Sequence, residues 1–494
     1  MLIEYMKNIF KKQLLIAIPL AFTLSGCSDF LDKLPENSVE AESVDYSKTS
    51  EMYMPVSGIY AKVRSNLAGW SGWGCIIVRG DDVNKGGSPT DQVEYNYCSN
   101  FEYEKLKTFW ALNGTWGSYY NTISLSNSAL ESLAKYAEHL KNDSDKALNT
   151  KYCAEVRFFR ALAYHQLVNL WGDVPLLLDN QALNISKSKK EDVLKYIYDE
   201  LDFCIQNLPA IRPNESEHPG AVTKYTAEVL KARVKMYNNE WDDVLTLTED
   251  IINSGKFELY PDFYELFKIP GKLCNESLLE YQFTDFGNGS GEIVESDQWF
   301  AFQGPRGEAP ISGWAFIEPT EKIQKLFAKR GETVRAETTF LMTDATTRDG
   351  DYIPAGSQSA YNGKAYTPKN QMTPGRTQYG AGNNIRVFRY ADVLLMNAEA
   401  KVRKGQNGDA PLNLVRERAG LAPIKNATVD QILEERQVEL ALEWGSRFYD
   451  LVRTDKAAQE LPGFVKGESE YYPIPQDQID LNPNLELEAG TTAE

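Results

Sequence analysis

Histidine is nearly absent from this chain, with three residues, His139, His165 and His218, in 494. No two stand at a spacing that sets them on one helix face, so a histidine-built zinc site or acid–base pair has no basis. Cysteine is scarce as well. The six residues include no C-x-x-C pair, which removes the common zinc and thioredoxin-type arrangements. Apart from Cys27 an odd number remains, so at least one thiol is unpaired; Cys153 and Cys204 fall on helical patterns as small apolar residues, and a Cys75 to Cys98 disulfide is left open. Positive charge is in deficit, with 52 Lys+Arg against 70 Asp+Glu and a net charge of -18. Nucleic acid and anionic lipid headgroups are therefore poor partners. Phosphate-cradling glycine loops, G-x-S-x-G elbows and H-E-x-x-H motifs are missing too. No assembled catalytic set, cofactor site or metal site emerges.

After residue 26, no apolar run has the length of a membrane-spanning helix. The N-terminus itself differs. Lys7, Lys11 and Lys12 precede an apolar run beginning at Leu14, which stops at Leu24, Ser25, Gly26 and Cys27. Charged, apolar and small-residue parts in that order read as a secretory signal over 1–26, and the small-residue box before a cysteine is similar to a bacterial lipoprotein signal. Cys27 is then the lipidated first residue of the mature chain, with Met6 as an alternative start. Each buried methylene of the lipid contributes about 0.8 kcal/mol of anchoring.

Helical periodicity dominates the rest. In TKYTAEVLKARVKMY, Tyr225, Val229, Ala232 and Met236 recur at three- and four-residue steps; Asn238 and Asn239 make a turn, and WDDVLTLTEDII repeats the pattern up to Gly255. This helical hairpin, over 221–260, looks like a tetratricopeptide-type repeat. Further helices are predicted over 115–140, 145–170, 190–208, 389–404 and 429–452. The stretch 261–386 is weakly periodic and rich in turn residues. The reading is an all-α, tetratricopeptide-like helical-repeat scaffold: an N-terminal helical region over 27–220, the hairpin, and a C-terminal region over 261–494 with a long loop-rich insertion. Loops on a rigid scaffold commonly carry binding function.

Two kinds of residue cluster stand out as candidates for chemistry. EERQVELALE supplies Glu434, Glu435, Glu439 and Glu443 beside Arg436, Arg447 and Asp450; a glycosidase needs two carboxylates at a set separation, but these helix spacings read as charge pairing. DATTRDGD, with Asp344, Asp349 and Asp351, lacks the complete calcium-loop pattern and reads as a solvated turn. Aromatic residues are plentiful: 27 Tyr, 21 Phe and 9 Trp. GWSGWG places Trp70 and Trp73 among small residues, with Arg79, Asp81, Asp82 and Lys85 following. DQWFAFQGPRG and SGWAFIEPT add Trp299, Phe302 and Trp314. Flat rings with polar neighbours suit a pyranose, whose apolar face stacks while its hydroxyls are hydrogen bonded. The expected ligand site is Trp70, Trp73, Arg79, Asp81, Asp82, Trp299, Phe302 and Trp314. Trp116, Trp171, Trp241 and Trp444 lie in helical patterns and are expected in the core.

AEVRFFRALAYHQLVNLWGDVPLLL (154–178), IRVFRYADVLLMNAEA (385–400), LNLVRERAGL (412–421), ILEERQVELALEWGSRFYDLVRTDK (432–456) and YYPIPQDQIDLNPNL (471–485) resemble the SusD/RagB family of outer-membrane nutrient-binding lipoproteins. The segment SDFLDKLPE after Cys27 is similar to that family's usual start. Asp29 and Asp32 resemble the signal that sends lipoproteins of Bacteroidetes-type bacteria to the outer face of the outer membrane. The resemblance implies a lipid-anchored protein facing the cell exterior. It would capture a polysaccharide or oligosaccharide, or in some members a peptide, without cleaving it, and deliver it to a SusC-like TonB-dependent transporter. Family sites are built by variable loops with aromatic platforms, to which Trp70, Trp73, Trp299 and Trp314 correspond by position. The shared motifs look like scaffold, so Arg157, Arg160, Glu439 and Arg447 are expected to serve stability.

Overall fold

A computed structural model describes residues 44–182, 184–283, 298–307, 311–356, 358–372 and 382–491. Cys27 and its flanking signal lie outside the described residues, as do GNGSGE and most of MTPGRTQYGAGNN. Contacts divide the chain into Met1–Lys48 and Thr49–Glu494, and the second unit holds the helices and strands of the fold.

Helices dominate, as the periodicity predicts. Trp110–Ala137, Asp143–Trp171, Lys190–Asn207, Lys224–Tyr237 and Trp241–Asn253 follow one another, each packing on the next. The local signals are ordinary. Asn142 caps Asp143–Trp171 by accepting from the Asp145 amide, and Thr223 and Thr226 form a capping box at Lys224–Tyr237. Asn239 takes the left-handed turn between the hairpin helices at φ 59°. The apolar stripes meet in a core where Val229, Ala232 and Met236 are fully covered.

Two expectations need correction. The helix predicted over 429–452 is two helices, Val429–Glu439 and Ser446–Arg453. Leu442 and Gly445 both adopt positive φ, 62° and 65°, and a Cβ at Gly445 would lie 3.0 Å from the Ile76 carbonyl oxygen. Close approach of this corner to residue 76 breaks the helix, overriding good local propensity. The insertion also contains a regular helix, Glu321–Arg330, capped by the Thr320 hydroxyl and ended by Gly331 at φ 70°. Ile323, Leu326 and Phe327 stand at helical spacing, so the signal was present but short, and the turn-rich flanks concealed it.

The strands described form four two-stranded antiparallel pairs. Two of these position the site. Ser277–Tyr281 pairs with Ile385–Arg389, so the insertion's incoming and outgoing chains lie side by side. Val83–Gly86 pairs with Phe316–Pro319 in the register Val83↔Pro319 and Gly86↔Phe316. That second pair joins the early aromatic segment to the one in the insertion.

Candidate functional site: an aromatic surface

The helix Trp70–Ile77 packs against Trp110–Ala137 and Glu94–Ser99 through its glycines. A Cβ at Gly72 would lie 2.6 Å from the Thr115 hydroxyl oxygen, and one at Gly74 would lie 2.7 Å from the Tyr95 ring. The small residues of GWSGWG thus serve helix contact rather than ring exposure. Trp73 is driven inward to 1% exposure, and its Nε1 donates to the Glu443 carbonyl at 2.7 Å.

The eight expected ligand residues therefore separate. Trp70 and Trp314 are half-buried, with ring centroids 5.3 Å apart, edge to face. Trp110 joins them, 5.7 Å from Trp70 and 48% exposed. Trp73, Trp299 and Phe302 are buried, so the expectation that they offer faces to a ligand is corrected. They form the floor: Phe302 lies 4.8 Å from Trp70 and stacks on Phe316 at 4.7 Å, and Trp299 lies 4.9 Å from Trp73.

The expected polar ligands are corrected as well. Arg79 is fully buried; its guanidinium lies over the Phe448 and Tyr472 rings at 3.7 and 4.7 Å and donates to the Ser469 and Glu470 carbonyls. Asp81 accepts two bonds from Arg447, at 2.8 and 3.0 Å, and another from Lys322. Asp82 is buried with Oδ1 lacking a partner, and burial together with the neighbouring Asp81 charge pushes its carboxyl up to about 7. Arg79 and Asp81 clamp the early segment to the C-terminal region.

The polar groups on the segments that carry the exposed rings are others. Gln92 accepts the Trp110 Nε1 hydrogen at 3.0 Å. Asn84 and Glu318 face each other across the strand pair, and Arg306 is exposed on the loop before Trp314. The Trp314 amide donates to the Ala301 carbonyl at 2.8 Å and the Ala315 amide to the Gly304 carbonyl at 2.9 Å. Buried Lys85 donates to the Ser88 and Asp91 carbonyls, 2.7 Å each, fixing the turn beside Gln92. Ala315 and Ile317 flank this edge at φ 65° and 62°, a strained conformation for residues with side chains that is tolerated where surrounding packing imposes it. Trp110 was missed because it precedes the predicted helix start; the adjacent aromatic pair in TFWALNG was the available signal.

The carboxylates of EERQVELALE are committed elsewhere. Glu439 is buried among Arg335, Arg389 and Arg418 at 3.1, 3.0 and 2.6 Å. Burial alone would raise its carboxyl; the three guanidiniums and Lys364 hold it down at about 2. Glu435 pairs with Arg335 at 2.7 Å, and Glu443 with Arg389 at 2.6 Å. The scaffold roles expected of Glu439 and Arg447 agree with these contacts, and Arg160 similarly pairs with Glu200 at 2.7 Å. Trp116 and Trp171 are buried as expected; Trp241 and Trp444 are half-buried. Among the described residues, no group of histidine, cysteine or acidic side chains is arranged to hold a metal, and the five described cysteines are free.

Comparison with known proteins decides the family. Residues 29–234 match the family described as starch-binding associating with outer membrane, and residues 338–469 match the SusD family. The chain belongs to the SusD family. A SusD-like protein of Bacteroides ovatus is 25% identical over 477 residues, covering 90% of this chain and 83% of its own. SusD-like protein P2 of Formosa agariphila is 27% identical, covering 96% and 98%. Among solved structures, a laminarin binding SusD-like protein superposes with a TM-score of 0.75 at 26% identity, covering 90% of this chain and 99% of that one. The surface glycan-binding protein A from Bacteroides thetaiotaomicron in complex with laminarihexaose gives a TM-score of 0.70 at 24% identity, covering 87% and 97%; at that identity the likeness concerns the fold. SusD-family scaffolds are tetratricopeptide-like, in accord with the helical pairs described above.

Proposed function

We propose that this SusD-family chain is a surface glycan-binding lipoprotein that captures an oligosaccharide or polysaccharide on the Trp70, Trp110 and Trp314 surface. The carrying observation is that surface: three indole rings from three segments converge, partly open to solvent, above a packed aromatic floor, with the Gln92 amide bonded to the Trp110 ring. Indoles supply stacking area for an apolar sugar face, and the amide suits its hydroxyls. The laminarin-binding relative at 26% identity supports a glucan as the ligand class to test first.

Binding without cleavage is supported by the commitment of Glu435, Glu439 and Glu443 to buried arginine pairs. Their spent charges leave no acid and nucleophile pair in the EERQVELALE segment. In this reading the protein sits at the outer membrane, anchored through lipid on Cys27 and facing the exterior, where a SusC-like TonB-dependent transporter receives the glycan. The family description supports outer-membrane association. Among the described residues no helix is long and apolar enough to cross a membrane.

The test is affinity electrophoresis of the purified protein in gels containing laminarin and a panel of other polysaccharides, with product analysis. Retardation without released oligosaccharide is expected. Migration unchanged in every gel, with calorimetric heat from peptides alone, would replace the glycan with a peptide ligand; released product would make the protein an enzyme.

A further inference from the structure

A second pocket lies in the insertion, built from different elements. It has a cavity of about 160 Å³ between Phe263–Leu266, the hairpins of Phe340–Met342 and Ala345–Thr346, and the turn after them. Its floor is Tyr264, Phe340 and Leu341, all buried. Its mouth is polar. Glu337, Thr346 and Arg348 line the cavity and are exposed.

The pocket is rigidly built. The Tyr264 hydroxyl donates to Asp349 at 2.5 Å, and the Tyr366 hydroxyl donates to Asp351. The turn carrying both acids is closed by Thr347, whose amide donates to the Asp351 carbonyl at 2.8 Å and whose hydroxyl accepts from the Asp351 amide at 3.1 Å. Behind the rings, buried Lys268 donates to the Gly363 and Tyr366 carbonyls, at 2.9 and 2.7 Å. The acids of DATTRDGD are thereby spent on tyrosine hydroxyls, with Asp344 accepting from Tyr352 at 2.7 Å.

The groups left for a ligand are specific. Arg348 is held by Asp262 through two bonds, 3.0 and 2.6 Å, with its guanidinium 5.1 Å from the centre of the Tyr264 ring. The side chains of Glu337 and Thr346 have no hydrogen-bond partner among the described residues. Above that closed floor, a carboxylate acceptor, a free hydroxyl and a neutralised guanidinium offer hydrogen bonds to a neutral polyhydroxylated ring, which would lodge through its hydroxyls rather than by stacking. Among the described residues that line the cavity, Glu337 is the one uncommitted carboxylate, too little for a free cation, and an anion would meet that same charge.

We infer that the Tyr264–Phe340–Glu337 pocket is a second saccharide-binding site, which rests on the glycan reading and adds to it a two-point grip on long chains. Engaging two sites on one polymer raises apparent affinity through effective concentration without strengthening either contact. Short oligosaccharides that fill only the tryptophan surface gain nothing from it.

Two exposed substitutions, Thr346→Arg and Glu337→Ala, test this in the full chain purified in detergent. Thr346→Arg should lower the apparent affinity for laminarin by at least about tenfold while leaving that for laminarihexaose within about twofold. Hydrogen exchange read in a Trp70→Ala/Trp314→Ala variant, whose first site is disabled, should still show slowed amides over 340–348 when laminarin is added. If both pocket variants bind laminarin like the parent, and saccharide slows exchange only around the tryptophans of the parent, the second site is overturned and the first stands. If no saccharide slows exchange at either place, both readings fall. Protection of 340–348 by a peptide mixture and not by saccharide would also overturn the assignment.

Discussion

Identical side chains in this protein serve opposite purposes according to the backbone beneath them. Trp314→Ala or Trp70→Ala should weaken glycan binding by about 1–3 kcal/mol with the melting temperature little changed, the behaviour of interface anchor residues. Trp73→Ala should instead cost about 3–5 kcal/mol of stability, because the ring is enclosed and its loss leaves a cavity and an unpaired Glu443 carbonyl. Calorimetric titration and chemical denaturation on the same samples separate the two. Asp82 gives a pH signature. Its folded-state carboxyl is raised from 3.8 to about 7, so the folded chain binds that proton more tightly than the unfolded chain, and this contribution to stability declines as pH rises from about 4 to about 7. Asp82→Asn should stabilise the protein by about 1–4 kcal/mol at pH 8 and by little near pH 4, measured as melting temperature across that range. Sequence showed that these residues cluster, but not which of them face outward. The same glycine-spaced tryptophans fit an open loop or a tightly packed helix, and only the close approach of residues 72 and 115 distinguishes them.

Among elements, the long helices were legible because three- and four-residue apolar spacing directly reports burial on one face. The break at residues 440–445 was hidden, since its cause is a contact with residue 76, distant in sequence. The strand pairs were hidden for the same reason: Val83–Gly86 and Phe316–Pro319 are short and far apart, and neither alternates strongly enough to announce a partner. The helix Val429–Glu439 shows how charge binds these elements together. Glu439 is the common partner of three arginines on separate segments, so Glu439→Gln should destabilise the fold by about 3–5 kcal/mol near neutral pH, leaving their buried charge undercompensated. Because the folded-state carboxyl lies near 2 rather than the usual 4.5, its stabilisation is present above about pH 4.5 and disappears as pH falls toward 2. Denaturation curves of the parent and variant should therefore converge in acid.

For the whole molecule, capture at a surface requires both a binding face and attachment. Cys27→Ala should move the protein from the membrane pellet to the soluble fraction in cells lacking the proposed SusC-like transporter; continued sedimentation with outer membrane there would remove the proposed lipid anchor. The antiparallel pairing of Ser277–Tyr281 with Ile385–Arg389 has a wider consequence. It pins both ends of a stretch of about a hundred residues at neighbouring points, and the entropy of closing such a stretch grows only slowly with its length. That stretch carries one wall of the aromatic surface and the whole of the hairpin region around residue 346. Descendants of this gene can therefore lengthen, shorten or exchange it like an interchangeable tool head, altering what is gripped while the handle stays folded.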